Sequence, residues 1–530
     1  MGDVRDIFDD SHGNEFEMII LGTYPNLYDR RGFEYRSAID ETHATLTYLA
    51  PPGSAFHLLP FYPSDGDGGF APSDWFSVDP RLGTLDDIRA LSRSGALFVD
   101  GIYSHVGVRH KWAREFFEGS GDASRIRTLV DVGAVSVQVS PRGWPVAREF
   151  TVRNVKRLAW QTFSPASIDI DLDNAEVNRE ILRHLDFLAG LGVRGVRLDA
   201  PAYYGKPIRG PLRHSEDSIR HFRRIVSACT RSGLTVIAQL NCNSVGHAYH
   251  EGAPVAFLQD YSLPALVAVA MLDGDTTELV THLAQSWHTA KVIRPLRTHD
   301  GILLKTGAVD DHRLTSTAPR FERHGAFVRH INGVPYEVNN SFPWICAQGT
   351  RDAGNEGSGG SGGSGAGDDH DRTFRGIDLA LSLVMMLPGI PYLYVPLLHG
   401  WTPEEATGTS PADVPDPRDV NRIPMSREHG GAVAHRGRLK RTKDLLARLQ
   451  ELRTRYHLES PAPDDRVIPL TAEVFALRRS HGLTAVFNFS RERTWCGWPG
   501  RPGDPGWSAG DRRGVRVGPR SCLVREPDGL

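Results

Sequence analysis

The chain has 530 residues, 40% of them hydrophobic and 24% charged, with a formal net charge of −3. That length exceeds a single small core and fits one large domain with appendages. The near-neutral balance offers no field of one sign for nucleic acid or an anionic membrane surface, so neither is an expected partner.

The opening stretch, Met1 to Phe16, is acidic and polar and lacks the basic-then-apolar pattern of a signal peptide. The longest apolar candidate, Ile377 to Tyr394, is broken by Pro388, Gly389 and Pro391, so no membrane span is expected. Cys229, Cys242, Cys346, Cys496 and Cys522 are scattered, with no C-x-x-C pair, as thiols in a reducing compartment would be. The expectation is a cytoplasmic protein.

In chain order, strand-length apolar runs come first at Met18–Leu21, Phe56–Leu59 and Ala96–Val99. A polar, Gly/Pro-punctuated segment follows, roughly Val106 to Pro165, and reads as a loop-grown subdomain. A helix is marked next by Asp173 with Glu176 as a capping-box-like start. Val177, Ile181, Leu185 and Leu188 form its apolar stripe, and Gly190 and Gly192 end it. Further runs stand at Gly195–Leu198, Val236–Leu240, Ala256–Leu258 and Val292–Leu296. The eighth, Ile390–Val395, comes after an insertion containing Gly357–Gly367 (GSGGSGGSGAG), read as a disordered loop. Glu473–Arg479 and Leu483–Phe489, separated by Ser480-His481-Gly482, form an antiparallel hairpin pattern.

Eight runs alternating with helical stretches argue for a parallel sheet, and the count of eight for closure. The expected fold is therefore α/β: a (β/α)8 TIM barrel with an inserted loop subdomain and a small C-terminal β-sheet domain. The expected division is 1–105 for the first part of the barrel and 106–165 for a subdomain over its mouth. Residues 166–455 complete the barrel, with the Gly/Ser-rich insertion at 357–367, and 456–530 form the C-terminal β domain.

Four strand ends carry polar groups. In Arg197-Leu198-Asp199-Ala200 the two-residue strand period turns Arg197 and Asp199 to one side, where the arginine would hold the aspartate ionised as a nucleophile requires. A strand-end salt bridge explains that pair equally well. His105, just past the third run, can donate to a sugar hydroxyl or cap a loop. Thr298-His299-Asp300-Gly301 suits a grip on vicinal hydroxyls, or a solvated turn.

Together these residues resemble the α-amylase superfamily, glycoside hydrolase family 13. Asp100 to His105 is similar to its first motif, with Ser104 where asparagine is usual. Arg197 to Ala200 is similar to its nucleophile motif, and Thr298-His299-Asp300 to its stabiliser motif. The resemblance sharpens to the sucrose phosphorylase branch through His57 to Tyr62, Asp67 to Pro72, Val78 to Gly83, Pro388 to Pro391 and Arg418 to Arg422.

The resemblance implies Asp199 as nucleophile and Asp300 as transition-state stabiliser, with His105, Arg197 and His299 around the sugar. Asp67 would clamp the far hydroxyls of a donor glucose and Phe70 would stack on its apolar face. Tyr203 and Arg422 would line the acceptor or phosphate side, which suits an anionic acceptor, although a loop salt bridge also explains Arg422. The fourth strand end departs from the family. Gln239 stands at the position of the general acid glutamate, and Asn241 where the branch has histidine. An amide has no titratable proton near neutral pH and cannot serve as general acid.

The implied activity is retaining α-glucosyl transfer or phosphorolysis, confined to donors with good leaving groups. The opposing reading is a catalytically inactive protein that binds a sugar or glycoside. Retention of Asp67, His105, Arg197, Asp199, His299 and Asp300 favours chemistry. A third reading lets His247, His250 or Asp260 supply the missing proton. The implied partner is a small-molecule sugar or glycoside, with phosphate or a sugar phosphate. No cofactor and no metal are expected, since the barrel chemistry requires neither.

Overall fold

A computed structural model describes residues 18–28, 36–129, 145–207, 212–240, 249, 256–287, 292–323, 326–339, 345, 366–400, 416–422, 424, 432–480, 482–496 and 515–526. Eight parallel strands close into a barrel: β1 (Ile20–Thr23), β2 (Ala55–Leu58), β3 (Ala96–Gly101), β4 (Gly195–Leu198), β5 (Thr235–Ala238), β6 (Ala256–Gln259), β7 (Val292–Pro295) and β8 (Ile390–Tyr394). Ile20 pairs with Ala55 of β2 on one side and with Tyr392 of β8 on the other, which seals the cylinder. Every strand overlaps one of the eight apolar runs.

Strand parity divides the core in two. Ile20, Ala55, Phe98, Ile237, Phe257, Ile293 and Ile390 fill the barrel interior. Their neighbours Leu21, Phe56, Leu97, Val99, Val196, Leu198, Val236 and Ala238 join the layer shared with the outer helices. Side chains alternate faces along a strand. The parity that packs Val196 and Leu198 outward therefore sends Arg197 and Asp199 inward, toward the C-terminal mouth.

The marked helix spans Ala175–Gly190, with Val177, Ile181, Leu185 and Leu188 buried as the stripe requires. Its cap is Asn174, not Asp173: the Asn174 side chain accepts from the backbone N–H groups of Glu176 and Val177. Asp173 is held outside by Arg220.

Between β3 and β4 stand a helix, Lys111–Glu118, and a three-stranded antiparallel sheet of Thr128–Leu129, Val155–Trp160 and Ala147–Val152. Between β7 and β8 a second small sheet, Ile302–Leu303, Val334–Asn339 and Phe327–Ile331, brings polar side chains back to the barrel mouth. The Gly357–Gly367 tract lies outside the described residues except for its last two positions, which begin the helix Ala366–Met386.

The C-terminal hairpin forms as Val474–Arg478 against Thr484–Asn488 within a four-stranded antiparallel sheet. Two buried arginines tie this end to the barrel. Arg453 donates to the carbonyls of Met385, Leu387 and Gly389, and Arg479 to those of Met386 and Leu458. These bonds fix the turn that delivers β8. Among the described residues no helix is long and apolar enough to cross a membrane.

Candidate active site

The strand ends converge on one cavity at the C-terminal mouth, the end where barrel enzymes carry their sites. Asp199, Asp300, Gln239, Asp67, Phe70, His105, Arg197, Tyr203, His299 and Arg422 all line it. Local backbone explains how several arrive there. Asp67 opens a short 3-10 turn, Asp67–Gly69, in which Gly68 has φ +59 and a Cβ would fall 2.7 Å from an Arg422 nitrogen. Only glycine lets the loop approach that guanidinium so closely. After Asp199, Ala200 adopts a left-handed φ of 44°, and Pro201 starts the turn that carries Tyr203 inward.

Arg197 does not act on Asp199 as expected from sequence. Its Nη1 donates to Asp100 at 2.5 Å and lies 3.8 Å from Asp199. Asp100, buried at the end of β3, also accepts from His57, whose other ring nitrogen accepts from the Tyr392 hydroxyl. Burial opposes the charge on Asp100, but Arg197 and His57 overcome it and hold the carboxyl below its ordinary value. Asp199 receives the opposite treatment. Burial is the largest influence, Arg197 offsets only part of it, and Asp100, Asp300 and Asp67 add repulsion. Its pKa is pushed up from 3.8 to about 7.

Asp67 and Asp300 share cations from one turn, Pro417–Asn421 and its following residue. Arg422 donates to Asp67 at 3.2 Å and to Asp300 at 2.8 Å, while Arg418 reaches Asp67 at 2.7 Å. Loop ion pairs and site lining are thus the same contacts. The His299 ring stacks on Phe70 with centroids 4.8 Å apart, and its Nε2 lies 3.3 Å from Asp300. Burial drives the His299 pKa down to about 3, so the imidazole is neutral. His105 donates from Nε2 to the Phe70 carbonyl at 2.6 Å and accepts at Nδ1 from Ser104, the residue in the asparagine position.

Gln239 follows β5, and its carbonyl oxygen accepts from the Ala200 N–H at 3.4 Å. Of the alternative proton sources, His247 and His250 lie outside the described residues, as does Asn241. Asp260 is described, and its carboxylate serves elsewhere. It pairs with Arg294 at 2.5 Å and His282 at 3.0 Å and accepts from the first N–H groups of the helix Ser262–Asp273.

Sequence reasoning passed over Arg297, Arg418, Tyr261 and Glu337, which also line the cavity. Arg418 stands four residues before Arg422, at the start of the short 3-10 turn that Arg422 caps. Arg297 had a readable signal, as an arginine inside an apolar strand end. Glu337 comes from a distant strand and had none.

The alpha-amylase catalytic-domain family matches residues 43–231. The chain is 25% identical over 453 residues to the glucosylglycerate phosphorylase of Allomeiothermus silvanus, covering 82% of this chain and 78% of that protein. It is 28% identical over 393 residues to the sucrose phosphorylase of Agrobacterium vitis, covering 69% and 75%. The crystal structure of sucrose 6F-phosphate phosphorylase from Thermoanaerobacter thermosaccharolyticum superposes with a TM-score of 0.73 at 17% identity, covering 95% and 98%. That last likeness concerns the fold.

Proposed function

We propose that the chain, whose residues 43–231 match the alpha-amylase catalytic-domain family, is a retaining α-glucosyl-transferring enzyme of the glycoside phosphorylase kind, acting on donors with good leaving groups. One observation carries the proposal: Asp199, Asp300 and an amide, Gln239, line one cavity together with Asp67, Phe70, His105, Arg197 and His299.

In the first step an Asp199 oxygen attacks the anomeric carbon of the donor while the bond to the leaving oxygen breaks. The leaving group departs with the electron pair. The Gln239 NH2 can donate a hydrogen bond to it but no proton, so a phosphate leaves more readily than a sugar alkoxide. Asp300 stabilises the positive charge that develops at the ring. In the second step an oxygen of phosphate or of an ionised acceptor attacks from the vacated face, and the Asp199 carboxylate is released. Two inversions restore the original anomeric configuration. An acceptor that arrives ionised requires no base, which removes the second task of the missing acid.

The test supplies α-glucosyl fluoride or α-glucose 1-phosphate with a panel of acceptors. It then reads product configuration by NMR and the Asp199-containing peptide by mass spectrometry. Retained products with a glucosyl adduct on Asp199 are expected. Inverted product, or full activity in Asp199→Asn, overturns the assignment. Binding of glucosides with no turnover of any donor establishes the non-catalytic reading instead.

A further inference from the structure

Four arginines line the catalytic cavity: Arg197, Arg297, Arg418 and Arg422. Three are neutralised in place, Arg197 by Asp100, Arg418 by Asp67 and Asp416, and Arg422 by Asp67 and Asp300. The fourth differs. Arg297 is 2% exposed, yet neither of its terminal nitrogens finds a hydrogen-bond acceptor among the described residues. A buried cation left without acceptors is costly, and native interiors pair such groups.

Burial pushes its guanidinium from 12.5 down to about 10, and nearby Tyr394, Glu337 and Asp300 offset only part of this. Asp300 is committed to Arg422, and the Glu337 carboxylate accepts from Asn339 at 2.8 Å. Neither carboxylate takes a hydrogen bond from Arg297. A guanidinium offers parallel N–H groups in a fork that matches an oxyanion. Arg297 lines the same cavity as His299 and Asp300, and Asp300 is among the carboxylates that act on its charge.

We propose that Arg297 forms an oxyanion subsite in the catalytic cavity, holding the phosphate or the carboxylate of the second substrate. The inference rests on the glucosyl-transfer reading for the words second substrate, while the binding itself is independent of turnover. The arriving anion supplies the acceptors that the described residues do not provide. The cation in turn makes an anionic acceptor preferable to a neutral polyol of the same size.

The test titrates the full chain with inorganic phosphate, with glycerate and with neutral glycerol by calorimetry, comparing the natural protein with Arg297→Gln and Arg297→Lys. Loss of a charged hydrogen-bond pair should weaken anion binding by about 10–100-fold in Arg297→Gln. Arg297→Lys should fall between, and glycerol should be indifferent to both changes. Dependence seen with phosphate identifies the inorganic ion as the occupant, and dependence seen with glycerate identifies an acidic acceptor. Binding of neither anion, or equal binding by Arg297→Gln, overturns the proposal. Without an anion Arg297→Gln should be at least as stable as the natural protein, because a buried cation with no acceptor among the described residues contributes nothing to the fold. Collapse of that variant overturns the proposal too. Anion binding through Arg297 without any glucosyl transfer leaves this inference standing and removes the catalytic one.

Discussion

Replacing Asp199 by asparagine should stabilise the protein above neutral pH while it abolishes turnover. Asp199 is 8% exposed, crowded by Asp100, Asp300 and Asp67, and its pKa rises from 3.8 to about 7. Each tenfold change in proton affinity is worth about 1.4 kcal/mol, so the rise corresponds to about 4 kcal/mol. The sign follows from proton counting. Between pH 4 and 7 the folded state keeps the Asp199 proton while the unfolded chain releases it, so raising the pH favours unfolding. Above about 7 both states are ionised and the loss is complete.

An asparagine at this position does not titrate. The stability gap in favour of Asp199→Asn should therefore be near zero at pH 4, widen steadily to pH 7, and level off near 4 kcal/mol beyond. Denaturant midpoints for the two proteins across pH 4 to 8.5 measure it. The natural enzyme should show the kinetic counterpart, with kcat/KM rising about tenfold between pH 6 and 8 as the nucleophile ionises. A variant no more stable than the natural protein at pH 8 refutes the reasoning, for Asp199 would then be comfortable as an anion.

Gln239→Glu should raise turnover of unactivated glucosides by about 10²–10⁴-fold and change activated donors far less, as rates across donors of graded leaving-group pKa will report. A flat response in the natural protein means that another group supplies the proton. Arg422→Met removes the cation shared by Asp67 and Asp300, so their repulsion of Asp199 grows and the acid limb of kcat/KM should move to higher pH. An unmoved limb rules that coupling out. Arg453→Met strands three buried carbonyls before β8 and should cost about 3 kcal/mol or more in denaturant unfolding. An unchanged midpoint would show that water satisfies those carbonyls.

The barrel was legible because a parallel strand covered on both faces must be apolar almost throughout. Each run, from Ile20 in β1 to Tyr394 in β8, announces itself without help from distant residues. The candidate site was legible for a related reason, since polar residues such as Asp199 and Gln239 stand out at the ends of apolar runs, even where a strand-end ion pair would also place them there. What escaped depends on charge balance in space. Arg197 and Asp199 lie two residues apart, but Asp100 takes the arginine's closest contact, and no local reading gives that outcome. Asp260 sits past a strand end like the others, yet Arg294 and His282 draw it away. That Arg297 finds no acceptor among the described residues is a property of everything around it. The helix start at Asn174 turned on which of two adjacent side chains could reach back to the first N–H groups.

The alternation along β4 behaves as a two-state code. Val196 and Leu198 belong to the helix layer, and Arg197 and Asp199 to the mouth. Adding or deleting one residue inside this four-residue strand would exchange the two sets, carrying two charges into an oily layer and two aliphatic chains into the cavity. Loops around the mouth can change length and merely reshape what the pocket accepts. For this strand the tolerated length change is zero, so a lineage is free to reshape the cavity by insertion anywhere on the rim while Asp199 stays anchored to an unvarying ruler.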